Sequence, residues 1–247
     1  LLRAALAMDY ELNTIDVATS YGNAKLRLSA WMKKHRAKFF IAEKTMQRTK
    51  ESVFQELSAS LEKLHSKKFE LYQFHAVKDF ADLDRILKEG GALEAFREAK
   101  ETGLIDAIGL TCHDDMRIPL KAMEEIDDLE VLLFPVNIAA KAYPHEINDY
   151  EKVLKEAKNR NIGVTAIKSI AKRRWNSEKE KEKANANTWY KPFSDPQWIT
   201  RCVHFTLSQD GVTAYSLPAE TRLWKYVLDA GETYQKMSSE EQKKFIE

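Results

Sequence analysis

The chain has 247 residues, of which 44% are apolar and 31% charged, and its formal net charge is +1. This balance is typical of a globular domain and excludes a global attraction to nucleic acid or to an anionic membrane. The two cysteines, Cys112 and Cys202, lie far apart and form no CxxC pair, so neither a disulfide framework nor a zinc ribbon is expected. No apolar run approaches the roughly 20 residues that span a bilayer. A cytoplasmic, reducing location is the default expectation.

Apolar periodicity predicts strands that alternate with helices along nearly the whole chain. After a helix through about residue 10, seven strands are predicted at 13–18, 38–44, 69–75, 104–111, 129–138, 162–170 and 211–217. The intervening helices are predicted at 24–35, 50–64, 83–103, 114–126, 149–161, 196–207 and 220–231, the third of them broken by two glycines. A long polar loop is predicted at about 171–195 and a C-terminal helix at about 238–247.

This alternation predicts an α/β fold with parallel strands. A doubly wound sheet and a (β/α)₈ barrel both fit, but the eight glycines form neither GxGxxG nor GxxxxGK[ST]. The length suits a barrel of about 250 residues. We therefore predict a single (β/α)₈ TIM-barrel domain over residues 1–247. Since the sequence opens on LLRAALAMDYE, in the middle of an amphipathic pattern, the first strand of the barrel is expected to be missing from it.

Polar residues mark the ends of the first three predicted strands. Asp16 follows the apolar residues of the first strand, and Tyr21 lies in the next loop. Lys44 ends the second strand and His75 the third. The carboxyl ends of barrel strands meet at one face, so these side chains are expected to converge there. No metal site is predicted, because the histidines form no HxH or HxxxH cluster.

This set of residues suits the reduction of a carbonyl group. A tyrosine with a pKa near 10 is a poor acid at neutral pH, and a lysine ammonium beside it would lower that pKa. A carboxylate would hold the ammonium in place, and a histidine would orient the carbonyl oxygen. Taken singly, each residue has an ordinary structural interpretation as a cap, a packed aromatic, a surface lysine or a core histidine. Their joint order at successive strand ends favours an active site.

The motifs IDVATSYG, FFIAEKT, SLEKLHSKKFELYQFH and IGVTAIKSI resemble those of the aldo-keto reductases, NAD(P)H-dependent oxidoreductases built on a (β/α)₈ barrel. The resemblance extends over residues 1 to about 230. It implies reduction of a small-molecule aldehyde or ketone, with Tyr21 as the proton donor and Lys44 lowering its pKa. It further implies that Asp16 pairs with Lys44 and that His75 orients the substrate. Neither nucleic acid nor membrane is an expected partner.

The resemblance also implies a set of cofactor contacts, with NADP(H) favoured over NAD(H). The residues at the matching positions are Thr111, His113, Asn137, Lys168, Ser169 and Arg222. The sequence departs from the family pattern at Cys112, where an amide is usual, and around Trp224, where a Glu-Asn pair is usual. These departures motivate an alternative, a barrel that senses cofactor or binds a partner without turnover. A lyase that uses Lys44 as a Schiff-base nucleophile is disfavoured, because Asp16 would keep the lysine protonated.

Overall fold

The structure is a computed structural model that describes residues 9–246, so the predicted helix through about residue 10 lies mostly outside the described residues. The chain divides into two compact units. The first unit is Asn13–Leu132, and the second is Leu133–Glu247 together with Leu1–Leu12. The single-domain organisation over residues 1–247 stays a prediction.

The first unit is a parallel sheet whose strands alternate with helices, as the periodicity predicts. Its strands are β1 (Thr14–Asp16), β2 (Phe40–Thr45), β3 (Phe69–Phe74) and β4 (Ile105–Thr111), and each pairs in parallel with the next. Its helices are α1 (Ala24–His35), α2 (Lys50–Lys63), α3 (Phe80–Leu87), α4 (Ala92–Glu101) and α5 (Arg117–Glu125). The predicted strands and helices of this unit are therefore present, with the helical stretch 83–103 divided into α3 and α4.

Two glycines produce the break between α3 and α4. Gly90 has a positive φ of 68°, a conformation that residues with a side chain rarely adopt. A Cβ atom on Gly91 would lie 2.5 Å from the carbonyl oxygen of Ile86, so only glycine fits against the end of α3. The chain then restarts as a helix at Ala92.

The core of the first unit lies between β3 and α4. Phe96 stacks on Phe74, with ring centroids 3.9 Å apart, and on Tyr72, with centroids 4.6 Å apart. All three side chains are completely buried. Because side chains alternate between the faces of a strand, Gln73 and His75 point to the opposite face of the sheet. The aromatic side chains thus occupy the face that packs against α4, and the polar side chains occupy the other face of the sheet.

Replacing Phe96 with alanine should lower the free energy of unfolding by about 3–5 kcal/mol, because the substitution leaves a cavity between two stacked rings. Urea unfolding followed by circular dichroism measures the change. Phe80→Ala is the control, because Phe80 is 44% exposed at the start of α3, and it should cost only about 0.5 kcal/mol. Equal losses for the two variants would show that the β3–α4 contact is not a centre of stability.

The second unit contains the remaining strands and helices. Its strands β6 (Gly163–Ile167) and β9 (Val212–Tyr215) pair in parallel, and β5 (Val131–Pro135) contains the boundary between the units. Outside the stretch 171–195, its α-helices are α6 (Ile138–Ala142), α7 (Tyr150–Asn159), α9 (Pro196–Leu207), α10 (Trp224–Glu232) and α11 (Ser239–Ile246). At the start of α11, Ser238 and Glu241 form the reciprocal hydrogen bonds of a capping box. This helix lies within the predicted C-terminal helix at about 238–247.

The stretch 171–195 differs from the long loop that its composition predicts. It contains the antiparallel strands β7 (Ala171–Arg174) and β8 (Tyr190–Pro192), with helix α8 (Glu178–Lys183) between them. Glu180 explains the order, because its carboxylate lies 2.7 Å from Arg173 and 2.8 Å from Lys191. The charge run therefore folds by pairing with the basic residues of its own hairpin. Over residues 9–246, every helix is too short or too polar to cross a membrane.

Candidate active site

The first unit brings the four polar residues of the strand ends together. Asp16 is the last residue of β1, Lys44 lies near the end of β2, and His75 directly follows β3. The parallel register places Asp16 opposite Ala42 and Lys44 opposite Gln73. Asp16, Lys44 and His75 are therefore displaced by two residues from strand to strand, and all three lie on the same face of the sheet. Tyr21 is in the segment 17–23 that joins β1 to α1.

Lys44 connects two members of this group. Its ammonium forms an ion pair with the Asp16 carboxylate and donates a hydrogen bond of 3.1 Å to the Tyr21 hydroxyl oxygen. Lys44 is 1% exposed, whereas Tyr21 is 45% exposed. The site therefore has a buried cation beside a tyrosine that is only partly exposed to solvent.

Burial changes the acidity of these groups. It lowers the pKa of Lys44 to about 7, and the adjacent Asp16 carboxylate acts in the opposite direction by favouring the ammonium. The pKa of Tyr21 is raised, first by burial of the phenol and then by the negative charge of Glu43. This shift is opposite to the lowered tyrosine pKa that the sequence predicts, because burial of the phenol and the Glu43 carboxylate both raise the pKa of Tyr21. Tyr21 consequently stays a protonated phenol at neutral pH.

His75 is neutral at physiological pH. Burial, followed by the charge of Lys44, lowers its pKa to about 3. The ring lies edge-on to Tyr21, with centroids 5.7 Å apart, and its Nδ1 is 3.3 Å from the hydroxyl of Ser20. A neutral imidazole in this position can donate one hydrogen bond without carrying charge.

The predicted cofactor contacts of the first unit, Thr111 and His113, lie beside His75. The hydroxyl oxygen of Thr111 accepts a 2.7 Å hydrogen bond from the backbone N–H of Ala76, and His113 packs 6.3 Å from the His75 ring. Cys112 points elsewhere, since its thiol donates to the carbonyl oxygen of Asp115. Thr111 thus orients the backbone just after His75, a function that the sequence did not indicate.

The other predicted cofactor contacts belong to the second unit. Asn137 caps α6, and its side-chain oxygen accepts from Ala140 N at 2.9 Å. Lys168 and Ser169 follow β6, where Lys168 has a positive φ of 59°. The hydroxyl of Ser169 is buried and has no hydrogen-bond partner among residues 9–246. Strained backbone clusters at functional sites, and a buried hydroxyl without a partner requires an explanation, such as a bound group.

Arg222, the last of the predicted cofactor contacts, is engaged with other groups of the second unit. Its Nε lies 2.8 Å from the buried carboxylate of Glu220, and it donates at 2.9 Å to the carbonyl oxygen of Asn185. This ion pair lowers the pKa of Glu220. Arg222 therefore links the 3₁₀ turn Thr221–Leu223 to the end of α8.

The sequence did not reveal a second buried cation in the first unit. Lys25, in the first turn of α1, forms an ion pair of 2.9 Å with Glu43. Both are almost completely buried, at 6% and 0% exposure. The available signal was Glu43, a charged residue within the otherwise apolar strand FFIAEK that lies on the face opposite Lys44. Over residues 9–246, no three His, Cys, Asp or Glu side chains are arranged to hold a metal ion.

The fold is that of solved aldo-keto reductases. An aldo-keto reductase from Bacillus halodurans, in its apo form, is 16% identical and superimposes with a TM-score of 0.70 over 97% of this chain and 82% of the other. One from Klebsiella pneumoniae, in complex with NADPH, is 17% identical, with a TM-score of 0.70 over 98% and 81%. A candidate aldo-keto reductase from Pseudomonas aeruginosa is 20% identical, with a TM-score of 0.69 over 92% and 80%. This likeness confirms the predicted (β/α)₈ fold class.

The sequence itself matches the Aldo/keto reductase family over residues 1–245. No curated protein has significant sequence similarity to the chain. The chain belongs to the aldo/keto reductase family, a family of oxidoreductases that use a nicotinamide cofactor, and the family resemblance noted in the sequence is thereby confirmed.

Proposed function

We propose that the protein reduces an aldehyde or ketone to an alcohol, taking a hydride from NAD(P)H and a proton from Tyr21. The observation that carries the proposal is the single ammonium of Lys44, which contacts both the Asp16 carboxylate and the Tyr21 hydroxyl. A structural lysine would need only the carboxylate. The second contact places positive charge where a phenolate would form.

Proton delivery can be followed from the charges of the site. Hydride addition to a carbonyl carbon leaves an alkoxide, which is a much stronger base than a phenolate. The Tyr21 O–H donates its proton to that oxygen, and the ammonium of Lys44 stabilises the phenolate that remains. Asp16 keeps Lys44 charged. His75, neutral at this pH, donates a hydrogen bond to the carbonyl oxygen and orients it.

The cofactor would supply the hydride, and residues of this chain fit its polar groups. Ser169 has a buried hydroxyl to donate to a pyrophosphate, and Lys168 adds a positive charge beside it. Thr111, His113 and Asn137 are proposed to hold the nicotinamide end. We favour NADPH over NADH because the Arg222 side chain, although paired with Glu220, is 59% exposed and can be approached by a 2′-phosphate, and because the Klebsiella pneumoniae relative was solved with NADPH.

Titration of the protein with NADPH and with NADH tests the proposal, using the fluorescence of its five tryptophans. We expect both to bind and NADPH to bind more tightly. The double variant Arg222→Met with Glu220→Gln, which leaves no unpaired buried carboxylate, should remove the difference. Failure to bind either nucleotide would reject the reductase function.

The second candidate is a barrel that senses cofactor or binds a partner without turnover. Three side chains assigned to the cofactor are already hydrogen-bonded within the protein: Thr111, Asn137 and Arg222. This candidate predicts that NADPH binds and that no aldehyde oxidises it. The reductase function predicts instead that an aldehyde oxidises the bound NADPH in the first turnover.

Replacing Asp16 with asparagine should move the basic limb of the pH profile to lower pH. Burial already lowers the pKa of Lys44 to about 7. Without the carboxylate the ammonium loses its partner, so we expect the limb of kcat/KM to shift down by about 1–3 pH units. The measurement is kcat/KM from pH 5 to 9 at saturating NADPH.

Asp106→Asn is the matched control for this pH profile. Asp106 forms a surface ion pair with Lys68 at 2.7 Å, and both side chains are largely exposed. Such pairs contribute about 0–1 kcal/mol, so the pH profile of this variant should equal that of the wild type. An unshifted limb in Asp16→Asn would remove Asp16 from the proposed mechanism.

A further inference from the structure

The segment 17–23, which carries Tyr21, is attached to its surroundings by few backbone hydrogen bonds. Val17 N donates to Ala42 O at 3.0 Å, and Tyr21 N donates to Ala18 O at 3.1 Å. The second of these bonds is local and does not connect the segment to the sheet. The segment also contacts the start of α1, where Ala24 N donates to Tyr21 O at 3.1 Å and Arg27 N to Asn23 O at 3.0 Å, and the Ser20 hydroxyl lies 3.3 Å from His75. A further, buried attachment joins the segment to β2.

A buried side chain provides that attachment. The ammonium of Lys25 lies 2.5 Å from the hydroxyl of Thr19, 2.9 Å from the Glu43 carboxylate and 2.6 Å from the hydroxyl of Ser60. These three acceptors match its three donors. Thr19 belongs to the Tyr21 segment, and Glu43 is the neighbour of Lys44 in β2. Lys25 thus joins the two parts of the chain that carry the phenol and its cation.

We propose that Lys25 and Glu43 form a positioning clamp that holds Thr19, and through it the Tyr21 phenol, at the correct distance from the ammonium of Lys44. Glu43 and Lys44 are adjacent in β2 and point to opposite faces of the sheet. The clamp thus acts from behind the strand and does not touch the substrate. This inference rests on the proposed reductase function.

A buried ion pair needs a reason beyond stability. Removing two charges from water offsets most of their attraction, so an apolar pair of similar size is often as stable. Here the pair fixes geometry, because the one ammonium of Lys25 holds both the Glu43 carboxylate and the Thr19 hydroxyl. The titratable groups that face Glu43 are Lys25, Glu56, Tyr72 and Tyr21.

Thr19→Val and Ser60→Ala separate positioning from simple stability. Each removes one acceptor from the same ammonium, but only Thr19 belongs to the Tyr21 segment. In Thr19→Val we expect kcat to fall about 10- to 100-fold, with KM and NADPH affinity within about twofold of the wild type. Hydrogen exchange of the peptide 17–23 should become faster. Ser60→Ala should retain the wild-type kcat and the wild-type exchange of that peptide.

The double variant Lys25→Met with Glu43→Leu gives a second test that does not leave an unpaired buried charge. It should fold, as judged by circular dichroism, and show the same loss of kcat as Thr19→Val. Wild-type kcat and wild-type exchange in Thr19→Val would overturn the clamp. If the wild-type protein itself reduces no carbonyl, the proposed function fails, and the exchange comparison alone still decides whether the clamp holds the segment.

Discussion

Tyr21→Phe should reduce kcat for carbonyl reduction by about 10²–10⁴-fold, the contribution usual for a positioned general acid. The phenylalanine keeps the ring and removes only the O–H that protonates the alkoxide. In the structure the hydroxyl receives a hydrogen bond from Lys44 at 3.1 Å, so its loss removes the group on which the ammonium acts. Affinity for NADPH should stay within about twofold, because no proposed cofactor contact involves Tyr21. Steady-state kinetics and the fluorescence titration measure the two quantities.

Tyr72→Phe is the matched control for this substitution. Tyr72 lies in the same unit, but it is fully buried against Phe96 on the helix side of β3. Its kcat should equal that of the wild type. Retention of activity by Tyr21→Phe, with Tyr72→Phe also active, would mean that another group delivers the proton.

Lys44→Met should also lower kcat strongly, by about 10²–10³-fold, as when one preorganised donor is removed from a site of developing negative charge. The methionine fills a similar volume and leaves the Asp16 carboxylate partly exposed to solvent, at 23%, so the fold should persist. The pKa of Tyr21 should rise further, because the phenolate loses its only adjacent cation in the described site. Titrations of the wild type and of Tyr21→Phe are followed by ultraviolet absorbance, and their difference gives the pKa of Tyr21 with Lys44 in place. The pKa in Lys44→Met is compared with this value.

Lys50→Met controls for the loss of a lysine–carboxylate pair as such. Lys50 lies at the start of α2 and pairs with Glu98 at 2.8 Å on the surface. Its removal should leave both kcat and the Tyr21 titration unchanged. A Lys44→Met variant that folds and turns over like Lys50→Met would refute the assignment of Lys44 to proton transfer.

Local patterns were sufficient to predict most of the fold. Alternation of apolar strands and amphipathic helices predicted β1 to β4 and their helices, because each element carries its own periodicity. The hairpin β7–α8–β8 was not predicted, since its order depends on Glu180 meeting Arg173 and Lys191. Contacts of that kind leave no periodic signal in the sequence, so the charged stretch around Glu180 was predicted to be a loop.

The candidate site shows the same division. The positions of Asp16, Tyr21, Lys44 and His75 followed from strand ends and spacing. The direction of the Tyr21 pKa shift could not be predicted in this way, because it depends on burial and on the charge of Glu43. The alternation of side chains along β2 places Glu43 on the face of the sheet opposite the site. The Ala76 partner of Thr111 and the Asn185 partner of Arg222 were likewise not predicted, since each lies far from its partner in the sequence.

The most direct test of the proposed function is a single turnover of enzyme-bound NADPH with a reactive aldehyde, followed by stopped-flow fluorescence. The wild type should oxidise its bound NADPH, and Tyr21→Phe should bind the same amount and leave it reduced. Wild-type protein that binds NADPH and does not oxidise it would contradict the reductase function and favour the barrel that senses cofactor without turnover.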